Sequence, residues 1–174
     1  MAGERDGADC KLVSGWRVTG ITTFQGGFPL PLTAQATTLQ SSFGAGTTRP
    51  NVVAGCGKTI GGSAQSRLSE WFNVACFSQP GAFAFGSESR TDPNLRTAGI
   101  ANYDFSVVKR TQITERVGLD FNVEFFNIFN RVQFAPPGEV YNPSTIKTAL
   151  NLFGVVTAQQ NQPRLVQLAM RLSF

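Results

Sequence analysis

At 174 residues the chain is long enough to bury a core of its own, yet only 15% of it is charged, against about 25% in soluble domains. Phenylalanine dominates the aromatics, 15 Phe against 2 Trp and 2 Tyr, and polar neutral residues fill much of the remainder, a balance suited to a surface between lipid and water. The net charge of +4 is dispersed, which excludes a nucleic-acid stripe, and no run reaches the roughly 18 apolar residues of a membrane helix.

In chain order, residues 1–10 carry no apolar h-region, are not a signal peptide, and are expected to be disordered. The first predicted strand spans 15–25. There Trp16, Val18, Thr22 and Phe24 alternate with Arg17, Thr19, Thr23 and Gln25, although Gly20 and Ile21 blur the period. Residues 26–99, rich in Gly, Pro, Ser and Thr, read as a long loop. The second strand, 100–109, sets Ala101, Tyr103, Phe105 and Val107 against Asn102, Asp104 and Ser106. The third, 116–127, is the clearest. Val117, Leu119, Phe121, Val123 and Phe125 alternate without a miss with Gly118, Asp120, Asn122 and Glu124. A helix would throw Leu119 and Val123 to the side opposite Val117, Phe121 and Phe125, leaving no polar face. A second loop, 128–163, contains Pro136-Pro137. In the last strand, 164–174, Val166, Leu168, Met170, Leu172 and Phe174 share one face, and Leu165, Gln167, Ala169, Arg171 and Ser173 the other. Its length of about ten residues suits a tilted membrane strand.

The connections set a topology. A short turn joins the second and third strands, while the other two connections are long. Outer-membrane barrels have short periplasmic turns and long outer loops. With Phe174 on the periplasmic side, the strands run up, down, up, down. Trp16 and Phe174 then fall at the periplasmic rim, and Phe24, Tyr103 and Phe125 at the outer rim. The expected fold class is all-β, with residues 11–174 forming a partial transmembrane β-barrel of antiparallel strands in the cell outer membrane. Arg17, Asn102, Asp104, Asp120, Asn122, Glu124, Gln167 and Arg171 are the expected lumen-facing residues. A soluble β-sandwich also alternates, but it would have to hold a loop of roughly 70 residues, which compact domains seldom do. Four strands cannot close a barrel, and open edges in lipid leave backbone groups unpaired. The chain is therefore expected to be a fragment that aggregates when expressed alone.

Catalytic and metal motifs are missing. Without histidine there is no Ser-His-Asp or Cys-His site, no His-ligated zinc, and no usual general base. Asp120 and Glu124 share a face but stand about 13 Å apart along a strand, too far for glycosidase chemistry. Gly57-Lys58-Thr59 resembles the end of a phosphate loop, but Val52 occupies the position of the first glycine. Asn142-Pro143-Ser144 is no glycosylation site, because proline stands in the middle. No catalytic, cofactor or metal residue is assigned, and no enzyme activity is expected. Cys10, Cys56 and Cys76 match no metal spacing. Cys56 and Cys76 fall in the first loop, where an oxidising exterior permits either a disulfide or two free thiols. Such a bond would shorten a mobile loop. Phe28, Trp71, Phe72, Phe83 and Phe85 could form an aromatic capture surface there, or pack the loops on one another.

Several stretches carry a resemblance. They are 15–29 (Gly15 to Pro29), Arg49-Pro50-Asn51, 71–77 (Trp71 to Phe77), 102–109 (Asn102 to Lys109), 113–116 and 121–130 (Phe121 to Asn130), with the alternating ending on Phe174. Together they resemble the C-terminal barrel region of TonB-dependent outer-membrane receptors, in particular the Oar-like group. The resemblance implies a barrel of about 22 strands around a plug, importing a scarce ligand with force delivered through TonB. It implies that Val166, Leu168, Met170, Leu172 and Phe174 form the signal read by the barrel-assembly machinery. The implied partners are outer-membrane lipid, the remainder of the barrel, the plug, and TonB acting through the plug. No cofactor and no nucleic acid is implied. A structural or adhesion barrel, and a soluble β-rich binding module, are the alternatives.

Overall fold

The computed structural model describes residues 12–35, 37–44, 46–143 and 152–174; residues 1–10, expected to be disordered, lie outside that range. In chain order the strands are β1 (Trp16–Gln25), β2 (Pro29–Leu30), β3 (Thr33–Ala34), β4 (Asn51–Val52), β5 (Phe77–Ser78), β6 (Asp92–Arg96), β7 (Ile100–Gln112), β8 (Gly118–Phe126), β9 (Val140–Tyr141) and β10 (Leu165–Ser173). One short helix, α1 (Thr38–Phe43), lies between β3 and β4. The described residues group into two units. One holds the chain up to Phe24 with Ala101–Val132 and Gln162–Phe174; the other holds Gln25–Ile100 with Gln133–Asn161.

The first unit is a single four-stranded sheet in the order β1-β7-β8-β10. Its register decides what alternation along one strand cannot. Phe105 pairs with Phe125 and Val107 with Val123 across β7 and β8. Across β8 and β10, Phe125, Val123, Phe121 and Leu119 pair with Val166, Leu168, Met170 and Leu172. Directly opposed residues share a face, so the apolar positions of three strands merge into one continuous surface. Phe24 meets Tyr103 edge-on with ring centroids 5.5 Å apart, and the Lys109 ammonium lies 5.2 Å from the centre of the Trp16 ring. The even-numbered residues of β1 therefore join the same surface. Phe129 meets Tyr103 at one end of it, but the surface as a whole is left open. Leu168 is 65% and Met170 70% exposed, and β1 and β10 are exposed along their whole lengths. A soluble sandwich would have buried these side chains.

The hairpin is longer and tighter than the sequence pattern indicates. β7 continues to Gln112, and Val117, read as the first apolar residue of the third strand, instead closes the turn, donating its N–H to the Thr114 hydroxyl (3.1 Å). Lys109 thus lies on the apolar face, paired with Phe121. It resolves the conflict by reaching along the strand, where its ammonium donates to the Leu12 carbonyl (3.2 Å) and to that of Ser14. A long aliphatic stem makes such snorkelling possible.

The second unit holds the hydrophobic core. Leu30, Leu32, Trp71, Phe72, Cys76, Phe77, Leu95, Phe153 and Val156 cluster with little or no exposure. Phe72 meets Phe77 and Phe153 edge-to-face at 5.7 and 5.0 Å. Three two-stranded ribbons frame the cluster: β2 with β6, β4 with β5, and β3 in parallel with β9. The sequence reads 26–99 and 128–163 as loops; instead the described residues of 26–99 and 133–161 fold together. Trp71 and Phe72 are core residues, while Phe28, Phe83 and Phe85 stay exposed. Cys56 and Cys76 are joined by a disulfide next to the β4–β5 ribbon, so the bond staples a packed lobe rather than shortening a mobile loop.

Candidate functional site

The polar face of the sheet gathers the residues expected to line a lumen. Register places Asp120 opposite Arg110 and Arg171, Asn122 opposite Val108 and Ala169, and Glu124 opposite Ser106 and Gln167. Asn102 and Asp104 share this parity on β7, and Arg17 lies on β1 opposite the apolar Trp16 side. All eight residues therefore belong to one face. At the Gly118 end the Arg110 guanidinium stands 3.6 Å from the Asp120 carboxylate, with Arg171 flanking it. Toward the Phe126 end the charges are negative. Asn122 donates its amide to Glu124 (2.8 Å) and receives the Ser106 hydroxyl (3.0 Å). Asn102 donates to both oxygens of Asp104 at 2.9 Å. The face is a hydrogen-bonded polar ladder, with each carboxylate held by a neighbour.

Asn127 and Asn130 complete the site and were not singled out by period or charge. Both have positive φ, 52° and 50°, a region that asparagine tolerates better than most side chains. They fold the chain sharply beyond β8. The Asn127 N–H donates to Asp104 (2.9 Å), and its side chain bonds the Arg131 N–H and carbonyl and the Gln162 carbonyl. Asn130 accepts the N–H of Arg164 at 2.9 Å. One knot of two asparagines thereby ties the ends of β7, β8 and β10 together. The signal was present as two asparagines three apart in the 121–130 stretch, but only φ reveals their use.

The ends of the sheet differ from its middle. Phe24, Tyr103 and Phe129 stack in series, the Tyr103 and Phe129 centroids 5.0 Å apart. Trp16 with Lys109 marks the opposite end. Val166, Leu168, Met170 and Leu172 project from the apolar face, and Phe174 is 98% exposed. Aromatic bands at both ends of a sheet that is apolar on one face and polar on the other are the pattern of a lipid-facing wall. The chain matches the outer membrane beta barrel domain family over residues 3–167. It belongs to that family. Comparison with curated proteins and with solved structures returns no match. The barrel strands are thus β1, β7, β8 and β10, the protein is placed in the outer membrane, and the sheet is open at β1 and β10.

In the second unit, two charged clusters have structural explanations. Lys58 pairs with Glu88 (3.3 Å) and with Asp92, whose side chains are 2% and 1% exposed. Partial burial opposes the Lys58 charge, but the hydrogen bonds and charges of Asp92 and Glu88 outweigh it and raise its pKa above the usual 10.5. Gly57-Lys58-Thr59 is therefore a buried-ion anchor. Arg67 stacks on the Trp71 ring at 4.6 Å. No group of three or more potential metal ligands occurs among the described residues.

Proposed function

We propose that the chain is the C-terminal wall segment of a TonB-dependent receptor of the Oar-like group, taking part in ligand uptake and not transporting by itself. One observation carries the reading furthest. Most of the stretches that resemble those receptors coincide with the elements that build the wall: 15–29 with β1, 102–109 with β7, 121–130 with β8 and its asparagine knot, and the ending with β10, while 49–51 and 71–77 fall in the second unit. In this reading the polar ladder meets a plug, and neighbouring barrel strands satisfy the edges of β1 and β10, since unpaired backbone is costly in hydrocarbon. The Val166–Phe174 pattern is taken up by the barrel-assembly machinery. The second unit, with its own core and disulfide, serves as the ligand-meeting face, because surface segments on a rigid scaffold carry recognition. The polar ladder acts as scaffold, not as a catalytic centre.

The test is to tag the chain in its native host, extract it from outer membranes with detergent, and identify what accompanies it. Plug-bearing barrel sequence and cross-links to TonB are expected. A passenger or peptidoglycan-binding module in their place would establish the structural or adhesion reading. Recovery in the aqueous fraction without detergent would defeat both.

A further inference from the structure

The second unit contains a pocket of ≈ 280 Å³ whose walls come from segments far apart in sequence. Val74 and Phe77 come from the disulfide-closed lobe; Tyr141, Asn142 and Phe153 come from the second long segment. Tyr141 and Phe153 meet edge-to-face at 5.3 Å, and Phe77 and Phe153 at 5.5 Å. Among the described residues, Glu70 is the charged side chain that lines this space, and no ion pair holds it.

The walls are held firmly. The Trp71 N–H donates to the Gly154 carbonyl (2.7 Å) and the Gln35 N–H to that of Tyr141 (3.0 Å), while the disulfide anchors Cys76 beside Phe77. Gly154 has φ +74°, and a Cβ there would come within 2.8 Å of Val74 Cγ1. Only glycine lets the two walls approach this closely.

We infer that this pocket binds a small organic cation with an apolar body, its ammonium directed to Glu70 and its hydrocarbon to Phe77, Tyr141 and Phe153. The volume lies at the small end for ligand sites, and the mostly apolar lining with few polar groups is their usual composition. A single carboxylate beside aromatic rings favours positive charge twice, through Coulomb attraction and through the ring quadrupoles. An anion would meet the Glu70 carboxylate, and among the described residues no cation lines the pocket. The inference stands on the pocket alone and holds whether or not the barrel imports anything.

A charge series on one ring tests it. Benzyltrimethylammonium, benzyl alcohol and benzoate are titrated against the tagged chain extracted with its barrel partners from native outer membranes into lipid nanodiscs, without TonB or any energy source. The cation is expected to bind at least about tenfold more tightly than the alcohol, with benzoate weakest. Glu70→Gln, nearly isosteric, should bring the cation down to the level of the alcohol. Tyr141→Ala should weaken cation and alcohol alike. Unchanged near-ultraviolet circular dichroism and an unchanged limited-proteolysis pattern verify that each variant is folded. Equal binding of the three probes, preference for benzoate, no binding of any probe, or cation binding indifferent to Glu70→Gln overturns the inference. Failure of TonB-linked uptake would leave it intact.

Discussion

Glu88 and Asp92 have almost no contact with water, and Lys58 is the cation that answers both. Each carboxylate has a further donor: the Ser89 N–H for Glu88 and the Asn94 N–H for Asp92, both at 2.9 Å. Removing the ammonium by Lys58→Met would strand two buried charges, and breaking such a cluster costs about 3–5 kcal/mol. Melting of the second unit should fall accordingly, and adding Glu88→Gln and Asp92→Asn should recover part of the loss. Because the folded pKa of Lys58 lies above 10.5, its contribution is complete below that pH. It is lost as pH rises through the folded value. An alkaline titration of stability should lose this limb in the Met variant. Asn127→Ala makes a second test. It deletes bonds to Arg131 and Gln162 and puts a Cβ-bearing residue without a compensating amide at φ 52°, at a cost of about 1–3 kcal/mol. Asn127→Gly should recover only the backbone part, read from urea midpoints in nanodiscs.

For the strands, parity is the property to probe. Leu168 lies opposite Val123 on the apolar face, and Gln167 lies opposite Glu124 on the polar one. A lysine on the lipid side of a barrel costs about 2–4 kcal/mol near the midplane, while lumen positions tolerate charge. Leu168→Lys should therefore lower the folded, membrane-inserted fraction in a urea titration, and Gln167→Lys should leave it nearly unchanged. Equal penalties at the two adjacent positions would refute the assignment of faces. Lys109 indicates how the wall handles an exception. It occupies an apolar-face position near the sheet end, close enough to Trp16 and the Leu12 carbonyl for its charge to escape hydrocarbon.

Across the molecule, stability is divided unequally, since the packed core and the disulfide belong to the second unit. Closing a loop of the size between Cys56 and Cys76 is worth about 3 kcal/mol in the chain-entropy picture. Reductant, or Cys56→Ser, should open cleavage sites within residues 53–76 under limited proteolysis before the barrel strands are cut; simultaneous loss of both units would contradict their independence. The wall was legible because a strand facing two solvents must alternate. Leu119, Phe121, Val123 and Phe125 record that constraint in a single strand, and β10 repeats it. The second unit was not legible. Leu30, Trp71, Phe77, Leu95 and Phe153 enter its core one or two at a time, from turns and strands of two to five residues, too short to show a period. The same holds for Asn127, whose role depends on a positive φ that no residue pattern announces. By itself, then, the sequence determined which side chains share the apolar face of the sheet and which the polar one, because that choice is made residue by residue. Tertiary structure alone decided the strand register, the Lys58 cluster and the joining of two distant segments around the pocket, because each rests on contacts between residues far apart in the chain.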